Sequence, residues 1–277
     1  MLPPDVEMYL EAHLGASVEG VTPVGGGCIA HACRVTTAKG RVFVKYGDGE
    51  VARSFPAEAE GLAVLRAAAS PLVIPEVRGL RAGTEDAHGV LVLEWIEPGT
   101  QGPHFWTAFA EGLAALHTNT DAQYGFDTNN FIGRTPQRNA RSSDWPGFFG
   151  AHRLSAQATR ARRGGRWLRA WDRPFEALLA RLPDLLPAQP PAALLHGDLW
   201  GGNFMVDADG RAVLVDPAVY YGHAETDLAM TQLFGGFDPH FYAAYRAAAP
   251  MTPGYAERRD VYNLYHRLNH LNLFGTG

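Results

Sequence analysis

The sequence predicts an α+β protein of two lobes, a small lobe built on a five-stranded antiparallel sheet and a larger, mainly helical lobe. The length of 277 residues exceeds that of a typical single-core domain. The first hundred residues alternate short apolar runs with glycine turns, whereas the pattern after Pro98 and Gly99 changes to helical spacing. We therefore expect an N-terminal lobe over residues 1–97 and a C-terminal lobe over residues 98–277.

The N-terminal lobe is predicted to be a strand meander preceded by a short helix over residues 5–13. Glycines 25–27 and the turn at Lys39-Gly40 separate its first three strands. A helix over residues 53–69 follows, because Phe55 and the apolar residues after it recur at helical spacing. The predicted strands cover residues 18–24, 30–37, 41–47, 73–80 and 89–97.

The C-terminal lobe is predicted to be helical, with one inserted hairpin. Asp209-Gly210 lies between the strand-like runs FMVD and RAVLVD, and this dipeptide readily forms the tight turn of a hairpin. The expected helical segments are residues 103–117, 144–162, 166–182 and 225–274. The prolines from Pro183 onward are expected to end the third of these.

Composition excludes several classes of function. A formal charge of −5 and a pI near 6.1 give no basic field for nucleic acid or an anionic membrane. No apolar stretch reaches the length of a membrane span and the start lacks the pattern of a signal peptide, so we expect a cytoplasmic protein. Cys28 and Cys33 are too few for a disulfide scaffold. A small-molecule partner is favoured.

Lysine usage singles out one position. The chain has 24 basic residues, of which only Lys39 and Lys45 are lysines. Lys39 lies in a turn, but Lys45 ends the apolar strand RVFVKY, where a strand-borne lysine can reach the phosphates of a nucleotide. Glycines 25–27 can let backbone N–H groups approach the same phosphates. As the anionic partner of Lys45 the following helix offers Glu58 and Glu60, and we choose Glu58.

The sequence HGDLWGGN, followed by a hairpin and Asp216, is the most specific pattern. Asp198 in such a loop can accept the proton of an attacking hydroxyl, while the oxygens of Asn203 and Asp216 are hard ligands suited to the Mg²⁺ that bridges ATP phosphates. The spacing from Asp198 to Asn203 equals that of the protein kinase catalytic loop. Each residue by itself could merely stabilise a turn, but the set together predicts ATP- and Mg²⁺-dependent phosphoryl transfer.

HGDLWGGN, LVDPAVYYGHAETDLAM at 214–230, LFGGF at 233–237 and LNHLNLFG at 268–275 resemble the fructosamine kinase family. The resemblance extends to GGGCI, VFVK, FPAEAEGL and QYGFDTNNFIG, and so covers nearly the full chain. It implies a protein-kinase-like two-lobed fold. It also implies transfer of phosphate from ATP to the 3-hydroxyl of a ketosamine, a ribulosamine or fructosamine adduct, which initiates removal of the sugar from glycated proteins.

By position, the resemblance assigns Asp198 as the catalytic base and Asn203 with Asp216 as the magnesium ligands. Lys45 and Glu58 would form the pair that anchors the phosphates. The nucleotide-binding set is then Gly25, Gly26, Gly27, Cys28, Lys45, Glu58, Glu94 and Ile96.

His196, Trp200 and Asp227 are assigned to substrate or structural support. Asp227 would brace the catalytic loop, because a carboxylate at a helix start can accept hydrogen bonds from loop backbone, although an ordinary helix-start carboxylate is the alternative. Trp200 could stack against a sugar or serve as a hydrophobic anchor. Histidines such as His117 lack metal-ligand spacing and are expected to be capping or core residues.

Two departures from protein kinases matter: HGD replaces His-Arg-Asp, and Asp-Pro-Ala replaces Asp-Phe-Gly. Together with the lack of room for a long activation loop, they disfavour protein kinase activity. For Cys28 the resemblance suggests a redox-sensitive thiol that links two chains into a homodimer; the alternative is a small buried residue.

Two other functions remain open at this point. One is an aminoglycoside- or choline-type phosphotransferase, which shares HGD and the downstream aspartate; YYGHAETDLAM and LNHLNLFG argue against it. The other is a catalytically silent nucleotide-binding scaffold, and the complete phosphoryl-transfer set argues against that.

Overall fold

A five-stranded antiparallel sheet organises the first part of the chain in the computed structural model, which describes residues 1–25, 30–249 and 251–275. Its strands are β1 (Val18–Pro23), β2 (His31–Thr37), β3 (Gly40–Gly47), β4 (Val77–Arg81) and β5 (Gly89–Glu94). They pair in the order β1-β2-β3-β5-β4, so the predicted meander of the first three strands is confirmed, and β5 lies between β3 and β4.

The two faces of this sheet pack against different helices and carry different side chains, because successive side chains along a strand point to opposite faces. On the outer face, Val35 and Val44 are buried beneath the first helix, α1 (Pro4–Leu14). The inner face carries Lys45 and packs toward the second helix, α2 (Gly49–Ala67), whose apolar side chains belong to the main core. The side chain of Lys45 therefore projects from a rigid, well-packed support.

The second part of the chain is mainly helical. Among the described residues its short strands are β6 (Thr120–Asp121), β7 (Asn130–Ile132), β8 (Thr135–Gln137), β9 (Ala192–Leu195), β10 (Phe204–Val206), β11 (Ala212–Leu214) and β12 (Tyr220–Gly222). Its α-helices are α3 (Phe105–His117), α4 (Trp145–Phe148), α5 (Ala156–Arg163), α6 (Asp172–Leu185), α7 (Glu225–Leu233), α8 (Pro239–Ala248) and α9 (Tyr255–Phe274). A π-helical segment, Phe149–Ser155, joins α4 to α5, and a 3₁₀ turn, Arg169–Trp171, precedes α6. The two-lobed α+β fold is thereby confirmed.

The hairpin β10–β11 is fastened directly to the first lobe. The Val73 N–H donates to Ala212 O at 3.0 Å, and Val73 O accepts from the Leu214 N–H at 2.9 Å. The Gly99 N–H donates to Val206 O at 2.9 Å, and a Cβ at Gly99 would lie 2.1 Å from Asp207 O, so only glycine permits this approach. These bonds hold the loop that precedes the hairpin beneath the inner face of the sheet.

Three details differ from the sequence prediction. Helix α6 continues through Pro183, since proline removes only one N–H donor and the Leu186 N–H still bonds Leu182 O at 2.9 Å. Strands β9 and β12 were not predicted, because runs of three or four residues carry too little periodicity. The loop after α3 contains the hairpin β7–β8.

Across the described residues, no helix is both long and apolar enough to span a membrane.

Candidate active site

Lys45 on β3 bridges two carboxylates from different lobes. Its Nζ lies 2.7 Å from Glu58 Oε1 on α2 and also forms an ion pair with Asp216. Burial lowers the pKa of the Lys45 ammonium, but the charges of Glu58 and Asp216 more than offset this, and the net pKa lies above its ordinary value. Lys45 is therefore a permanent cation in the cleft.

Glu58, rather than Glu60, faces Lys45. The carboxylate of Glu60 instead accepts a hydrogen bond from Thr128 Oγ1 at 2.7 Å. Burial raises the pKa of Glu58, and the Lys45 ammonium opposes that effect. The side chain of Asp216 is 41% exposed against 13% for Glu58, so Asp216 is the partner that can turn toward a bound cation.

The segment that carries Asp216 is tied to the HGDLWGGN loop by backbone hydrogen bonds. The Val215 N–H donates to Asn203 O at 3.1 Å, and the Ala218 N–H donates to His196 O at 2.8 Å. Asp216 lies between these two bonds with φ at 55°, the only positive φ of a non-glycine residue in the described part of the chain. Such strain in a non-glycine residue is typical of functional sites.

His196 is a neutral connector inside this arrangement. It is fully buried, and burial lowers the pKa of its imidazole. Its Nε2 lies 2.9 Å from Val215 O and its Nδ1 accepts from the Asp198 N–H at 3.3 Å, which assigns the proton to Nε2. Through Nε2 the ring joins the HGDLWGGN loop to the segment that carries Asp216, and through Nδ1 it orients Asp198.

Gly197 explains why HGD stands in place of His-Arg-Asp. Its φ is +83°, and a Cβ at this position would lie 2.0 Å from Ala218 O. An arginine side chain could not be attached here without displacing the Asp216 segment, because both the backbone conformation and the contact exclude it.

Asp198 has few partners for its charge. Asn203 Nδ2 donates to the Asp198 backbone oxygen at 2.8 Å and to its Oδ2 at 3.2 Å. Burial, and then the charge of Asp216, raise the pKa of Asp198 to about 7, while the bond from Asn203 opposes the shift. A carboxylate with such a pKa can accept a proton near neutrality.

Asp227 at the start of α7 lies beneath this loop. Its carboxylate accepts the His196 N–H at 2.8 Å and the Gly197 N–H at 2.9 Å. Its Oδ2 is 3.3 Å from His117 Nε2, and His117 Nδ1 is 2.7 Å from the hydroxyl of Tyr245. Burial would raise the pKa of Asp227, but these donors outweigh it and the pKa lies below its ordinary value. Sequence reasoning missed His117 because its partners are more than a hundred residues away.

Trp200 opens an aromatic surface beside Asp198. It is 36% exposed, and its ring centroid lies 5.9 Å from that of Phe234. The ring centroid of Phe234 lies 5.8 Å from that of His270, and the ring centroid of His270 lies 4.8 Å from that of Phe274. We name Trp200, Phe234, His270 and Phe274 the aromatic rim. It brings together three segments that the sequence resemblance singled out separately.

The predicted nucleotide-binding residues are only partly described. Gly25 is exposed at the end of β1, whereas Gly26, Gly27 and Cys28 lie outside the described residues. Ile96 follows β5 in the segment between the lobes, and no acceptor for its backbone N–H is found among the described residues. The Glu94 side chain points away, accepting the Glu76 N–H at 3.2 Å, and the Glu94 N–H donates to Glu76 O at 2.8 Å, so neither group is free to face a nucleotide.

Arg34 and Trp95, in the roof of the cleft, were not predicted as site residues from the sequence. Arg34 pairs with Phe43 on the face of the sheet that carries Lys45. The Arg34 guanidinium lies 5.4 Å from the Trp95 ring centroid, and its buried Nε has no hydrogen-bond partner in the described residues. The alternation that places Lys45 inward places Arg34 inward as well, and this was the available signal.

Of the two cysteines, only Cys33 is described. It is buried under α1, and burial raises the pKa of its thiol to about 11, so it is an unreactive thiol. The predicted redox link therefore depends on Cys28 and stays a prediction. A Cys28→Ser protein whose activity responds to peroxide as the parent does would remove it.

Together the fold and the site define a phosphotransferase of the protein-kinase-like class, with a strand lysine, its helix glutamate, a loop aspartate and a downstream Asn/Asp pair. A model of the fructosamine kinase family matches residues 4–277, and the chain belongs to that family.

Similar proteins agree with this assignment. The chain is 43% identical to a probable ketoamine kinase from Synechocystis sp., over 92% of this chain and 84% of the relative. It is 33% identical to the ketosamine-3-kinase of Mus musculus, over 98% of this chain and 96% of the relative. A crystal structure assigned as a fructosamine-3-kinase, from Thermobifida fusca, superposes with a TM-score of 0.86 at 32% identity, over 98% of this chain and 93% of that one. An aminoglycoside phosphotransferase crystallised with ADP and hygromycin B shares the fold alone, with a TM-score of 0.67 at 18% identity, over 97% and 90% of the two chains.

Proposed function

We propose that this protein transfers the γ-phosphate of ATP to the 3-hydroxyl of ketosamines, the adducts of a ribulose- or fructose-type sugar with an amine. The names of the relatives from Synechocystis sp. and Mus musculus support the acceptor class. The observation that carries the proposal is that Asp198, Asn203 and Asp216 lie together in the cleft and that Asp216 pairs directly with Lys45.

In the proposed reaction Asp198 takes the proton of the acceptor hydroxyl as that oxygen bonds to the γ-phosphorus and the bond from phosphorus to the β-γ bridging oxygen breaks. Lys45, held by Glu58, contacts the α- and β-phosphates and stabilises the charge that develops on the leaving diphosphate. His196 and Asp227 hold the loop so that Asp198 remains in place. The partly exposed ring of Trp200 stacks on the C–H face of the acceptor sugar, which is apolar.

The donor set fits a magnesium ion bound together with a nucleotide. Asn203 uses its amide nitrogen for Asp198, so its oxygen is the atom left for a cation, and Asp216 supplies a carboxylate. Mg²⁺ commonly takes one or two protein oxygens and completes its shell with phosphates and water. No group of three or more His, Cys, Asp or Glu suited to a metal occurs in the described residues, which agrees with such a shared site. Bound there, Mg²⁺ would neutralise phosphate charge.

The test is ATP consumption by purified protein with a ribulosamine, a fructosamine, an aminoglycoside and choline offered in parallel, each with and without Mg²⁺. We expect turnover with the ketosamines only, and none without Mg²⁺. Phosphorus NMR of the product locates the phosphate on the sugar. A phosphate on another hydroxyl would contradict the 3-kinase assignment, and turnover with aminoglycoside or choline alone would contradict the acceptor class. Silence with all four would favour a nucleotide-binding scaffold.

A further inference from the structure

An arginine-rich segment outside the cleft is not used by the proposed reaction. Residues 160–173, which we name the arginine segment, contain six arginines and one aspartate in a chain of net charge −5. All six arginines are exposed: Arg160, Arg162, Arg163, Arg166, Arg169 and Arg173. In the described structure only Arg162 has a carboxylate partner within 4.0 Å. Five exposed guanidinium groups therefore form no ion pair with the described residues.

The arginine segment has a fixed shape. Asp172 Oδ1 accepts from Arg162 Nη2 at 2.7 Å and from Trp167 Nε1 at 2.9 Å. Arg162 also lies over the Trp167 ring at 4.5 Å, and Trp167 packs edge-on against Phe175, with ring centroids 5.1 Å apart. Because these contacts hold the turn between α5 and α6, the unpaired arginines are presented by an ordered surface, which lowers the entropic cost of binding.

Helix α9 connects the helix that begins the arginine segment to the aromatic rim. Gln157, three residues before Arg160, bonds Asn272 in the last turn of α9, with Asn272 Nδ2 donating to Gln157 Oε1 at 2.8 Å. The same turn of α9 carries His270 and Phe274 of the aromatic rim, which leads to Trp200 beside Asp198. Asn272 lies about 160° around α9 from His270 and Phe274, so a chain that leaves the cleft past the aromatic rim reaches the arginine segment after crossing about one helix diameter, ~10 Å.

The partner that fits this surface is an acidic polypeptide. Arginine pairs with carboxylates through two parallel hydrogen bonds, and charge complementarity at a rim raises the association rate. Nucleic acid fits less well, because the ring of Trp167 is packed inside the turn and the rest of the chain is acidic. A membrane fits less well because Leu168, 58% exposed, is the only large apolar side chain that the segment presents strongly to solvent.

We propose that the arginine segment is a docking surface for acidic residues of the polypeptide that carries the ketosamine, so that adducts on lysines in acid-rich sequences are preferred acceptors. The inference rests on the proposed function for the chemistry. It adds the class of carrier and does not change the reaction at Asp198.

The experiment compares peptides that carry one ketosamine-modified lysine flanked by glutamate, serine or arginine, with the charged block placed at increasing spacing from the lysine. The test variant is Arg160→Gln/Arg163→Gln/Arg169→Gln. The control variant, Arg53→Gln/Arg181→Gln/Arg246→Gln, removes the same charge from exposed arginines that have no ion pair in the described structure. Each protein is assayed at low and at high salt, and a free small ketosamine is the reference acceptor.

For the parent protein and the control variant we expect kcat/KM to rank glutamate above serine above arginine, with an optimum spacing and with the preference weakened at high salt. The test variant should lose about tenfold in kcat/KM on the glutamate peptide and keep its rate on the serine peptide and the free ketosamine. Equal rates of parent and test variant on the glutamate peptide would overturn the proposal. So would an equal loss on the free ketosamine, which would place these arginines in catalysis or folding.

Direct binding separates the remaining outcomes. Fluorescence anisotropy with a labelled, unmodified glutamate peptide should show binding by the parent and weaker binding by the test variant. Loss of binding to a single-stranded oligonucleotide or to phosphatidylglycerol vesicles, with the peptide unaffected, would overturn the proposal and assign the segment to that polyanion. If no acceptor is phosphorylated, the proposed function fails, and the peptide binding still decides for or against docking.

Discussion

Asp198 and Asp227 are carboxylates of the same site, one half-buried and one fully buried, and their surroundings are opposite. Asp227 accepts two backbone N–H groups and faces His117, and its pKa is lowered. Asp198 accepts a single side-chain donor, Asn203 at 3.2 Å, and burial raises its pKa to about 7. One carboxylate is stabilised as an anion for structure, and the other is left unstable as an anion, ready to take a proton.

This contrast shows how the site separates support from chemistry. Asp227 stabilises the backbone of His196 and Gly197, and those residues in turn place Asp198. A group that holds the loop must be satisfied before substrate arrives, because an unsatisfied buried carboxylate destabilises the fold. A general base must keep part of its proton affinity for the reaction. The two requirements cannot be met by the same residue, and under the proposed function they are divided between Asp227 and Asp198.

The largest expected effect is on turnover in an Asp198→Asn protein. The amide cannot accept the hydroxyl proton, so kcat should fall by about 10³-fold while the affinity for ATP stays within about twofold. Steady-state ATP consumption with a ketosamine and nucleotide binding by calorimetry measure the two quantities. Unchanged turnover would reject Asp198 as the base.

A Gly197→Ala protein tests whether the stability of the loop held by Asp227 and the position of Asp198 both depend on the backbone at residue 197. Its Cβ would meet Ala218 O at 2.0 Å in a residue with φ of +83°, so we expect a loss of about 3 kcal/mol in the free energy of unfolding and a large fall in kcat. Gly201→Ala in the same loop is the matched control, since its nearest atom, Gly235 O, is 3.4 Å away. Chemical denaturation compares them, and equal stability of the two variants would contradict the steric argument.

The sequence predicted the parts of this site that lie in one short segment and the parts set by strand alternation. Asp198 and Asn203 share a motif, and Lys45 follows from its place at the end of a strand. It could not predict contacts between distant segments. The ring of His117 reaches Asp227 across 110 residues, and the need for glycine at 197 arises from Ala218 O. Such constraints are properties of packed backbone and leave no local pattern.

An Asp227→Asn protein should lose about 2 kcal/mol of stability, because the amide offers one acceptor where the loop supplies two N–H donors. We also expect kcat to fall about tenfold with little change in KM, since the loop holding Asp198 loosens without losing a group that touches substrate. Asp238→Asn is the control, because this half-buried residue caps α8, where asparagine serves equally well. If both variants unfold at the same urea concentration as the parent, Asp227 does not brace the loop.

The smallest expected effect has the opposite sign: without nucleotide or Mg²⁺, Asp198→Asn should be more stable than the parent above neutral pH. The folded-state pKa of Asp198, about 7, lies above the ordinary value of 3.8, so the folded parent binds the extra proton and loses stability as pH rises between these values. The amide does not titrate. The advantage of the variant in unfolding free energy should therefore grow by about 1–2 kcal/mol between pH 6 and pH 8. Urea denaturation at both pH values measures it, with Asp86→Asn at an exposed loop position as the control. A constant difference would show that Asp198 ionises without cost in the folded state, and the contrast with Asp227 would then have to lie in geometry rather than in charge.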